Sequence, residues 1–409
     1  MSIRSDVDHI IADAIQAALP DAAVARALTG KVFPGRVFLI AAGKAAWQMA
    51  KAAVDLLGDT ITEGVVITKY AHSHGDIFRT TIHEAGHPVP DDNSFSATEA
   101  ALTLTKGLQP DDTVLFLLSG GGSALFEKPL IPPQELQDIT KQLLASGADI
   151  VEMNTIRKRL SAVKGGRFAQ HCFPAQVYAI VLSDIIGDPL DMIASGPAYP
   201  DASSCADALA IVKRYALRLS EQALACLNVE TPKALQNVET QVTGSVKQLC
   251  ASAEESCTRL GYRPMVLTDS LCCTARDAGS FLAAIARRYA ETEDSLAFIA
   301  GGETVVHLKG KGKGGRNQEL ALAAAEGISG LRDTAVFSVG SDGTDGPTDA
   351  AGGNVDNTTA GVLRQSGISI FDELENNNAY VALEACGGLI KTGATGTNVN
   401  DLSVLLIKR

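Results

Sequence analysis

Three glycine-rich segments of this sequence have the composition of anion-binding loops. They are Ser119–Ser123, Lys311–Asn317 and Gly340–Gly346. The first and third directly follow short apolar runs that are typical of strands, and glycine after a strand lets backbone N–H groups turn toward an anion. The second also contains two lysines and an arginine. Three such segments in one chain predict an enzyme that handles phosphate.

The first segment and a lysine after an earlier strand together predict an anion site. The segment consists of Ser119, Gly120, Gly121, Gly122 and Ser123. Its N–H and O–H groups could converge on a substrate. Lys44 directly follows Gly43 and a buried apolar run, so its ammonium group would be a point charge for phosphate or carboxylate. The alternatives are a turn without a ligand and a surface lysine in the first turn of a helix.

A basic segment at residues 154–167 holds further candidates for contacting substrate or nucleotide. It carries five cations, and some of its polar side chains recur at steps of three and four residues, which places them on one face of a predicted helix. These side chains belong to Asn154, Arg157, Ser161 and Lys164. Gly165 and Gly166 follow at the end of the segment. The alternative is a solvated basic helix face.

Several carboxylates also follow predicted strands. Asp184 and Asp188 could ligate Mg²⁺ or accept a proton from an attacking hydroxyl, although an Asp-rich turn would use the same residues. Glu303, Arg316 and Asn317 flank the lysine- and glycine-rich segment in a predicted hairpin. Arg316 could bind a carboxylate or phosphate through two N–H groups, unless this region is a flexible basic loop.

The third glycine segment combines carboxylates with a hydroxyl. It contains Asp342, Gly343, Thr344 and Asp345, and Asp349 follows it. The three aspartates suit metal or ribose contacts. They could equally be turn residues.

The sequence excludes some common sites. No G-x-x-x-x-G-K-[ST] motif occurs, which excludes a standard P-loop, and a Rossmann dinucleotide site is unsupported. A cluster of histidines does not follow a zinc spacing, and Gly86 with Pro88 would break the helix that H-E-x-x-H requires. The histidines concerned are His72, His74, His83 and His87.

Composition narrows the class of protein further. A formal net charge of −12 argues against a nucleic-acid partner, and the apolar runs are too short to cross a bilayer. No apolar signal segment stands at the N-terminus, and the eight cysteines include no C-x-x-C pair. We therefore expect a cytoplasmic protein with reduced thiols and no membrane partner.

Alternating strands and helices predict an α/β protein with two three-layer α/β/α domains. The first, at residues 1–235, would have a Rossmann-like, mostly parallel sheet, and the second, at 236–409, would be smaller. Strands are predicted at 36–41, 63–70, 113–118, 176–182, 263–268, 295–300, 303–308, 335–339 and 401–408. The segment 201–260 is predicted to be largely helical. Ligands of such sheets bind beyond the carboxyl ends of the strands, where the glycine segments fall.

As a set, these motifs resemble the glycerate 2-kinase family, which has an N-terminal glycerate-kinase domain and a C-terminal MOFRL domain. The family is also named after tartrate-utilisation hydroxypyruvate reductases. The matching segments span nearly the entire chain in order. They are residues 42–45, 84–91, 118–125, 154–166, 182–197, 302–304, 314–320, 339–349 and 395–401.

The resemblance implies transfer of the ATP γ-phosphoryl group to the 2-hydroxyl of D-glycerate, with Mg²⁺, in a cleft between the two domains. The family's active-site lysine and arginine fall on Lys44 and Arg316. The resemblance does not settle the role of each aspartate. From the placement of the loops, Asp184 and Asp188 are assigned to catalysis and, with Glu303, to metal binding. Substrate contacts are assigned to Ser119, Gly120, Gly121, Gly122, Ser123, Arg157 and Asn317. Nucleotide contacts are assigned to Lys164, Gly165, Gly166, Asp342, Gly343, Thr344 and Asp345.

Other functions stay open at this point. One is an NAD(P)H-dependent hydroxypyruvate reductase, as the older family name states. Others are a kinase for another small hydroxy acid and a two-lobed binding protein without catalysis. A monomer and a homodimer are both compatible with the sequence.

Overall fold

The computed structural model describes residues 2–409, which fold into two compact units. The first unit consists of residues 24–183 and 188–243, and the second of residues 2–23, 184–187 and 244–409. This partition differs from the predicted contiguous division at residue 235, because the start of the chain packs with the second unit. No helix within residues 2–409 is long and apolar enough to span a membrane.

The first unit contains a six-stranded sheet. Its strands are β1 (Val37–Ala42), β2 (Ile61–Lys69), β3 (Thr80–Ala85), β4 (Thr113–Leu118), β5 (Gln176–Leu182) and β6 (Val238–Gly244). Their order is β3–β2–β1–β4–β5–β6, and every pair from β3 to β5 is parallel. The predicted mostly parallel sheet is confirmed. The strand order reverses between β1 and β4, which is where open α/β sheets bind ligands.

The second unit contains a mixed six-stranded sheet. Its strands are β7 (Arg263–Leu271), β8 (Leu296–Gly302), β9 (Thr334–Gly340), β10 (Gly352–Asp356), β11 (Leu389–Ile390) and β12 (Asp401–Ile407). Their order is β11–β10–β9–β12–β8–β7, and only β7 and β8 pair in parallel. The α/β class predicted for this half is confirmed.

Sixteen α-helices accompany the two sheets within residues 2–409. They are α1 (Ile3–Ala18), α2 (Pro20–Leu28), α3 (Ala46–Leu57), α4 (Asp92–Leu104), α5 (Gly122–Leu125), α6 (Pro133–Ala145), α7 (Ile150–Arg159), α8 (Arg167–Cys172), α9 (Cys205–Arg214), α10 (Glu221–Leu227), α11 (Val246–Arg259), α12 (Ala275–Arg288), α13 (Arg316–Ala325), α14 (Thr359–Gln365), α15 (Ile370–Glu375) and α16 (Ala379–Ala385).

The alternation of side chains along β12 shows how the second sheet is covered on both faces. Leu402, Val404 and Leu406 belong to the core that includes α1 and α11. Leu405 and Ile407 belong to a separate core with α12 and α13. Because successive strand residues point to opposite faces, a strand that is buried along its whole length packs against two helical layers.

Helix α1 is tied to the second unit by polar contacts as well as by its apolar face. The Asp6 carboxylate accepts hydrogen bonds from the Tyr262 hydroxyl at 2.7 Å and from the Lys408 ammonium group at 2.6 Å. The Thr397 hydroxyl donates to the Ala18 carbonyl at 2.7 Å. The two ends of the described chain therefore meet in one core.

Several strand predictions were incomplete or wrong. The edge strands β3, β6 and β11, and the short β10, were not predicted, and β6 interrupts a segment predicted to be largely helical. Edge strands bury little of one side, so their apolar alternation is weak. Residues 303–308 form no strand and no hairpin: only Val305 makes an isolated bridge, to Thr274, and Leu308 is 83% exposed.

The close approach of the loops after β1 and β4 can be tested at Gly43. Its φ is +132°, and a Cβ there would lie 2.1 Å from the Ser119 Oγ. We expect Gly43→Ala to lower the free energy of unfolding by about 2–3 kcal/mol, measured by urea denaturation. Gly30→Ala is the control, because φ is +73° but nothing lies within 4 Å. It should cost only about 1 kcal/mol, and equal losses would contradict the steric argument.

Candidate active site

The loops after β1 and β4 are bonded to each other where the strand order reverses. The Ser119 N–H donates to the Ala42 carbonyl at 3.0 Å, and the Lys44 N–H donates to the Gly120 carbonyl at 2.8 Å. The Ala45 N–H donates to the Ser119 Oγ at 3.1 Å. The structure thus brings Lys44 and the first glycine segment together.

Two N–H groups at the tip of this glycine segment remain available to a ligand. Within residues 2–409, the N–H groups of Gly120 and Gly121 donate to no protein atom, and both residues are half-buried. The next N–H group, that of Gly122, is used within the loop, because it donates to the Ser119 carbonyl at 3.3 Å. The Ser119 hydroxyl oxygen accepts the Ala45 N–H. Two adjacent N–H groups without acceptors form a concavity suited to an anion.

His87 adds an imidazole to the same site. A Cβ on Gly121 would lie 3.0 Å from the His87 Nε2 and 3.2 Å from the Lys44 Cγ, so both side chains border the loop. Burial lowers the pKa of His87, and the charges of Lys44, Lys69 and His72 lower it further. The spacing of the histidines raises only a metal-binding role for His87, because β3, which ends at Ala85, is not recognisable from the sequence.

Arg157 and Lys164 hold the end of the glycine segment through hydrogen bonds to its backbone. Both donate to the Ser123 carbonyl, Arg157 at 3.4 Å and Lys164 at 2.8 Å. Lys164 is fully buried and pairs with Glu127 at 3.3 Å. Burial lowers the pKa of Lys164 to about 8, although Glu127 opposes this effect. The structure departs here from the expected nucleotide contact, because Lys164 holds the protein's own backbone.

The two glycines after Lys164 are also used internally. The Gly165 N–H donates to the Ser195 carbonyl at 3.0 Å, and the Gly166 N–H donates to the Gly196 carbonyl at 2.7 Å. Their φ values of +59° and +85° explain why glycine stands at both positions. Neither N–H group is therefore directed to a nucleotide in this structure.

The carboxylates assigned to a metal ion do not form a cluster. Within residues 2–409, no group of three or more His, Cys, Asp or Glu side chains is arranged to hold a metal ion. Asp184 belongs to the second unit, where its carbonyl accepts a hydrogen bond from the Asn400 amide at 3.3 Å, and Asp188 belongs to the first. A resident metal ion held by Asp184, Asp188 and Glu303 together therefore lacks structural support.

Arg316 opens α13 and carries an unusual set of acidic partners. Its Nε and Nη2 donate to the two Asp401 oxygens at 2.5 and 3.0 Å, and its Nη1 donates to Glu303 at 2.7 Å. Burial would lower the pKa of Arg316, but Asp401 and Glu303 raise it above its usual value. The two-point contact expected with a substrate is therefore made with Asp401. Each terminal nitrogen keeps one further N–H, and the side chain is 34% exposed.

Asn317 and Asp345 organise the start of α13. The Asp345 carboxylate accepts hydrogen bonds from the N–H groups of Asn317 at 3.1 Å and Gln318 at 2.8 Å. Asn317 is 1% exposed, and its amide oxygen accepts from the Ser338 hydroxyl at 2.5 Å, so this oxygen is used within the core. Burial raises the pKa of Asp345 to about 7, while the two N–H donors oppose this effect.

A cavity of about 850 Å³ lies beside Arg316 in the second unit. Three of the residues assigned to nucleotide binding line it: Asp342, Thr344 and Asp345. Gly343 faces elsewhere, since a Cβ there would lie 1.9 Å from the Gly393 carbonyl oxygen. The volume falls in the range of small-molecule and cofactor sites.

Comparison with known protein families matches both parts of the chain. The sequence model of a domain of unknown function, DUF4147, matches residues 6–228, and that of the MOFRL family matches residues 296–401. The second match includes Glu303, Arg316, Asp345 and Asp401.

Individual relatives agree with these matches over their full length. A D-glycerate 2-kinase of Thermotoga maritima is 50% identical over 412 aligned residues, covering 99% of each chain. An Agrobacterium vitis protein, whose name assigns it provisionally as a hydroxypyruvate reductase, is 37% identical, covering 100% of this chain and 95% of its own. The crystal structure of a Thermotoga maritima glycerate kinase matches with a TM-score of 0.94 and 49% identity, covering 99% of each chain. The chain therefore belongs to the glycerate 2-kinase family, in which a DUF4147 domain precedes a MOFRL domain.

Proposed function

We propose that this protein is a glycerate 2-kinase that transfers the γ-phosphoryl group of ATP to the 2-hydroxyl of D-glycerate. The observation that carries the proposal is the full-length agreement, in sequence and fold, with relatives named as glycerate kinases. The Lys44 site supports it chemically, because phosphoryl transfer depends on positioning and charge stabilisation more than on covalent chemistry.

The first unit would bind the anionic acceptor. Lys44 supplies a positive charge beside the available N–H groups of Gly120 and Gly121. These three groups suit the glycerate carboxylate or the transferring phosphoryl group. Arg157 would act by holding the glycine segment through the Ser123 carbonyl. Asp184 and Asp188 stay proposals for accepting the hydroxyl proton.

The second unit would bind the nucleotide in the cavity beside Arg316. The remaining N–H groups of Arg316 would stabilise phosphate charge, and Glu303 and Asp401 fix the orientation of the guanidinium group. Mg²⁺ usually binds through one or two carboxylates together with substrate phosphates and water. Asp342 and Glu303, which line the cavity, are the carboxylates that would fit this role. When bound, the ion would neutralise phosphate charge. The predicted cleft shared by the two units stays a prediction.

The reaction and its regiochemistry can be tested in one assay. Purified protein, ATP, Mg²⁺ and D-glycerate are coupled to enolase, which consumes 2-phosphoglycerate and not the 3-phosphate. Absorbance of the enolase product should appear only with all components. Consumption of ATP without an enolase signal would indicate the 3-hydroxyl, and the absence of ATP consumption across small hydroxy acids would reject the kinase.

A hydroxypyruvate reductase is the second candidate, favoured by the name of the Agrobacterium vitis relative. Residues 310–315 do fit the letters G-x-G-x-x-G, and α13 follows them. However, the segment before them is not a strand, so the phosphate-binding geometry of a dinucleotide fold is missing there. Oxidation of NADH by hydroxypyruvate, followed at ~340 nm, separates the two candidates.

Replacing Lys44 tests the acceptor site. We expect Lys44→Ala to reduce kcat on the order of 10²-fold or more, because it removes a charge from a partly buried site. Lys51→Ala is the control, since Lys51 lies on α3 and pairs with Asp55, 2.6 Å away. It should retain wild-type kinetics. Wild-type turnover in Lys44→Ala would remove Lys44 from the mechanism.

Arg316 can be tested against its partner Asp401. We expect Arg316→Ala to reduce kcat/KM on the order of 10²-fold. Asp401→Asn keeps Arg316 in place and should cost less than about 10-fold, because one hydrogen bond to the guanidinium group can be retained. Steady-state kinetics and thermal unfolding should be measured for both. Equal catalytic losses would show that Arg316 acts only by pairing with Asp401.

A further inference from the structure

The lysine–glycine strip, residues 309–315, is held by three consecutive asparagines. The Asn377 side-chain oxygen accepts from the N–H groups of Lys309 at 2.8 Å and Gly310 at 3.0 Å. The Asn376 side-chain oxygen accepts from the Lys311 N–H, and the Asn376 carbonyl accepts from the Gly312 N–H. The Asn378 side-chain oxygen accepts from the Lys313 N–H. Five backbone N–H groups of the strip are therefore hydrogen-bonded to residues 376–378, which argues against the flexible basic loop considered from the sequence.

The glycines of the strip serve packing. A Cβ on Gly310 would lie 2.3 Å from the Asn376 carbonyl oxygen, and a Cβ on Gly312 would lie 2.4 Å from the Asn378 Cβ. Glycine at these alternate positions lets the backbone lie directly on the asparagines. Because those asparagines take the N–H groups of residues 309–313, the backbone there cannot also bind an anion, contrary to the sequence-based expectation.

The three lysines of the strip differ in their surroundings. Lys309 pairs with Glu375 at 3.5 Å, and the Lys313 ammonium group lies 3.8 Å from the centre of the Tyr380 ring. Within residues 2–409, Lys311 makes no ion pair, and it is the one lysine that lines the 850 Å³ cavity. Among the described residues, Lys311 is therefore the lysine of the strip whose ammonium group has no ion-pair partner and lines this cavity.

The charges opposite Lys311 are mostly compensated. Glu303 pairs with Arg316, and Glu319 pairs with Arg276 at 3.3 Å. The pKa of Asp345 is raised by burial to about 7, and its oxygens accept N–H groups. The cavity wall therefore offers a free cation at Lys311 and a carboxylate at Asp342 that can face a metal ion.

Another part of the wall is apolar and open. Val305 and Leu308, which are 49% and 83% exposed, line the cavity together with Val306 and Ile186. The cavity wall thus combines exposed apolar side chains with a cation, the two kinds of group that contact a base and a polyphosphate, and the volume is far larger than a three-carbon acid requires.

We propose that Lys311 binds the polyphosphate of the nucleotide in this cavity, and that the base lies against Val305 and Leu308. The inference rests on the proposed function, which places ATP in the cavity, and it deepens that function by assigning the residues that contact the two parts of the nucleotide. The proposal makes Lys311 a nucleotide-binding residue. Lys309 and Lys313, in the same strip, would not contact the nucleotide.

Calorimetric titration of the full chain with ADP tests the assignment. Lys311→Ala should weaken ADP binding about 10-fold, and Lys311→Arg should restore most of it, as expected for one charge-assisted contact. The matched variants Lys309→Ala and Lys313→Ala should stay within about 3-fold of wild type. If all three alanine variants bind ADP equally well, the proposal is overturned. Thermal unfolding identifies any variant that has not folded, and Lys311→Gln then replaces it.

Two further probes locate the ends of the ligand. Leu308→Ser should weaken ADP binding but leave tripolyphosphate binding unchanged, whereas Lys311→Ala should weaken both. Cys272 is exposed and lines the cavity, so its alkylation, quantified by peptide mass spectrometry, should slow with ADP and not with D-glycerate. Protection by D-glycerate alone would assign the cavity to the acid and reject the proposal. Lys311-dependent ADP binding without glycerate phosphorylation would support this site while rejecting the proposed function.

Discussion

The contact between Gly43 and Ser119 is the constraint on which the first unit's site depends. Parallel pairing of β1 and β4 brings the ends of both strands together, but the loops can meet only because residue 43 has no side chain. That approach places Lys44 against a glycine segment whose tip has two N–H groups without acceptors. Arg157 and Lys164, bound to the Ser123 carbonyl, keep the segment from relaxing. The sheet therefore fixes a small positive site by backbone geometry, and side chains add the charge.

In the second unit, the central interaction is between a partly buried guanidinium group, that of Arg316, and the carboxylates around it. Arg316 has three carboxylates near it, and its pKa is raised by them, while burial raises those of Asp345 and Asp401. Burying one member of such a group without the others would be costly, so the residues act as a unit. This is why an arginine that the sequence marks as a ligand-binding fork is found bound to protein, with fewer N–H groups left for phosphate.

The sequence predicts the central strands and the ligand edge of the first sheet well, because β1, β4 and β5 are mostly apolar runs with glycine or aspartate within two residues of their ends. Strand prediction from the sequence fails where only one face of the strand is buried, as in β3 and β6, which carry polar residues. Because β3 was not predicted, the position of His87 beside the site could not be recognised. Sequence-based prediction also fails where one pattern has two physical meanings. The alternating lysines and glycines suggest a phosphate loop, yet the glycines are required by the asparagines at 376–378, which no local pattern links to them. Lys164 shows the same limit, since charge periodicity cannot reveal that a cation is completely buried.

The pairing of Asp6 with Lys408 has a consequence for how the chain is made. Helix α1 leaves the ribosome well before its partners in β9, β12 and α11, which are synthesised hundreds of residues later. The intervening unit can complete its own core in the meantime, since its residues are contiguous except at 184–187. During translation the apolar face of α1 therefore stays exposed until these partners are made, which makes the nascent helix a natural binding target for chaperones.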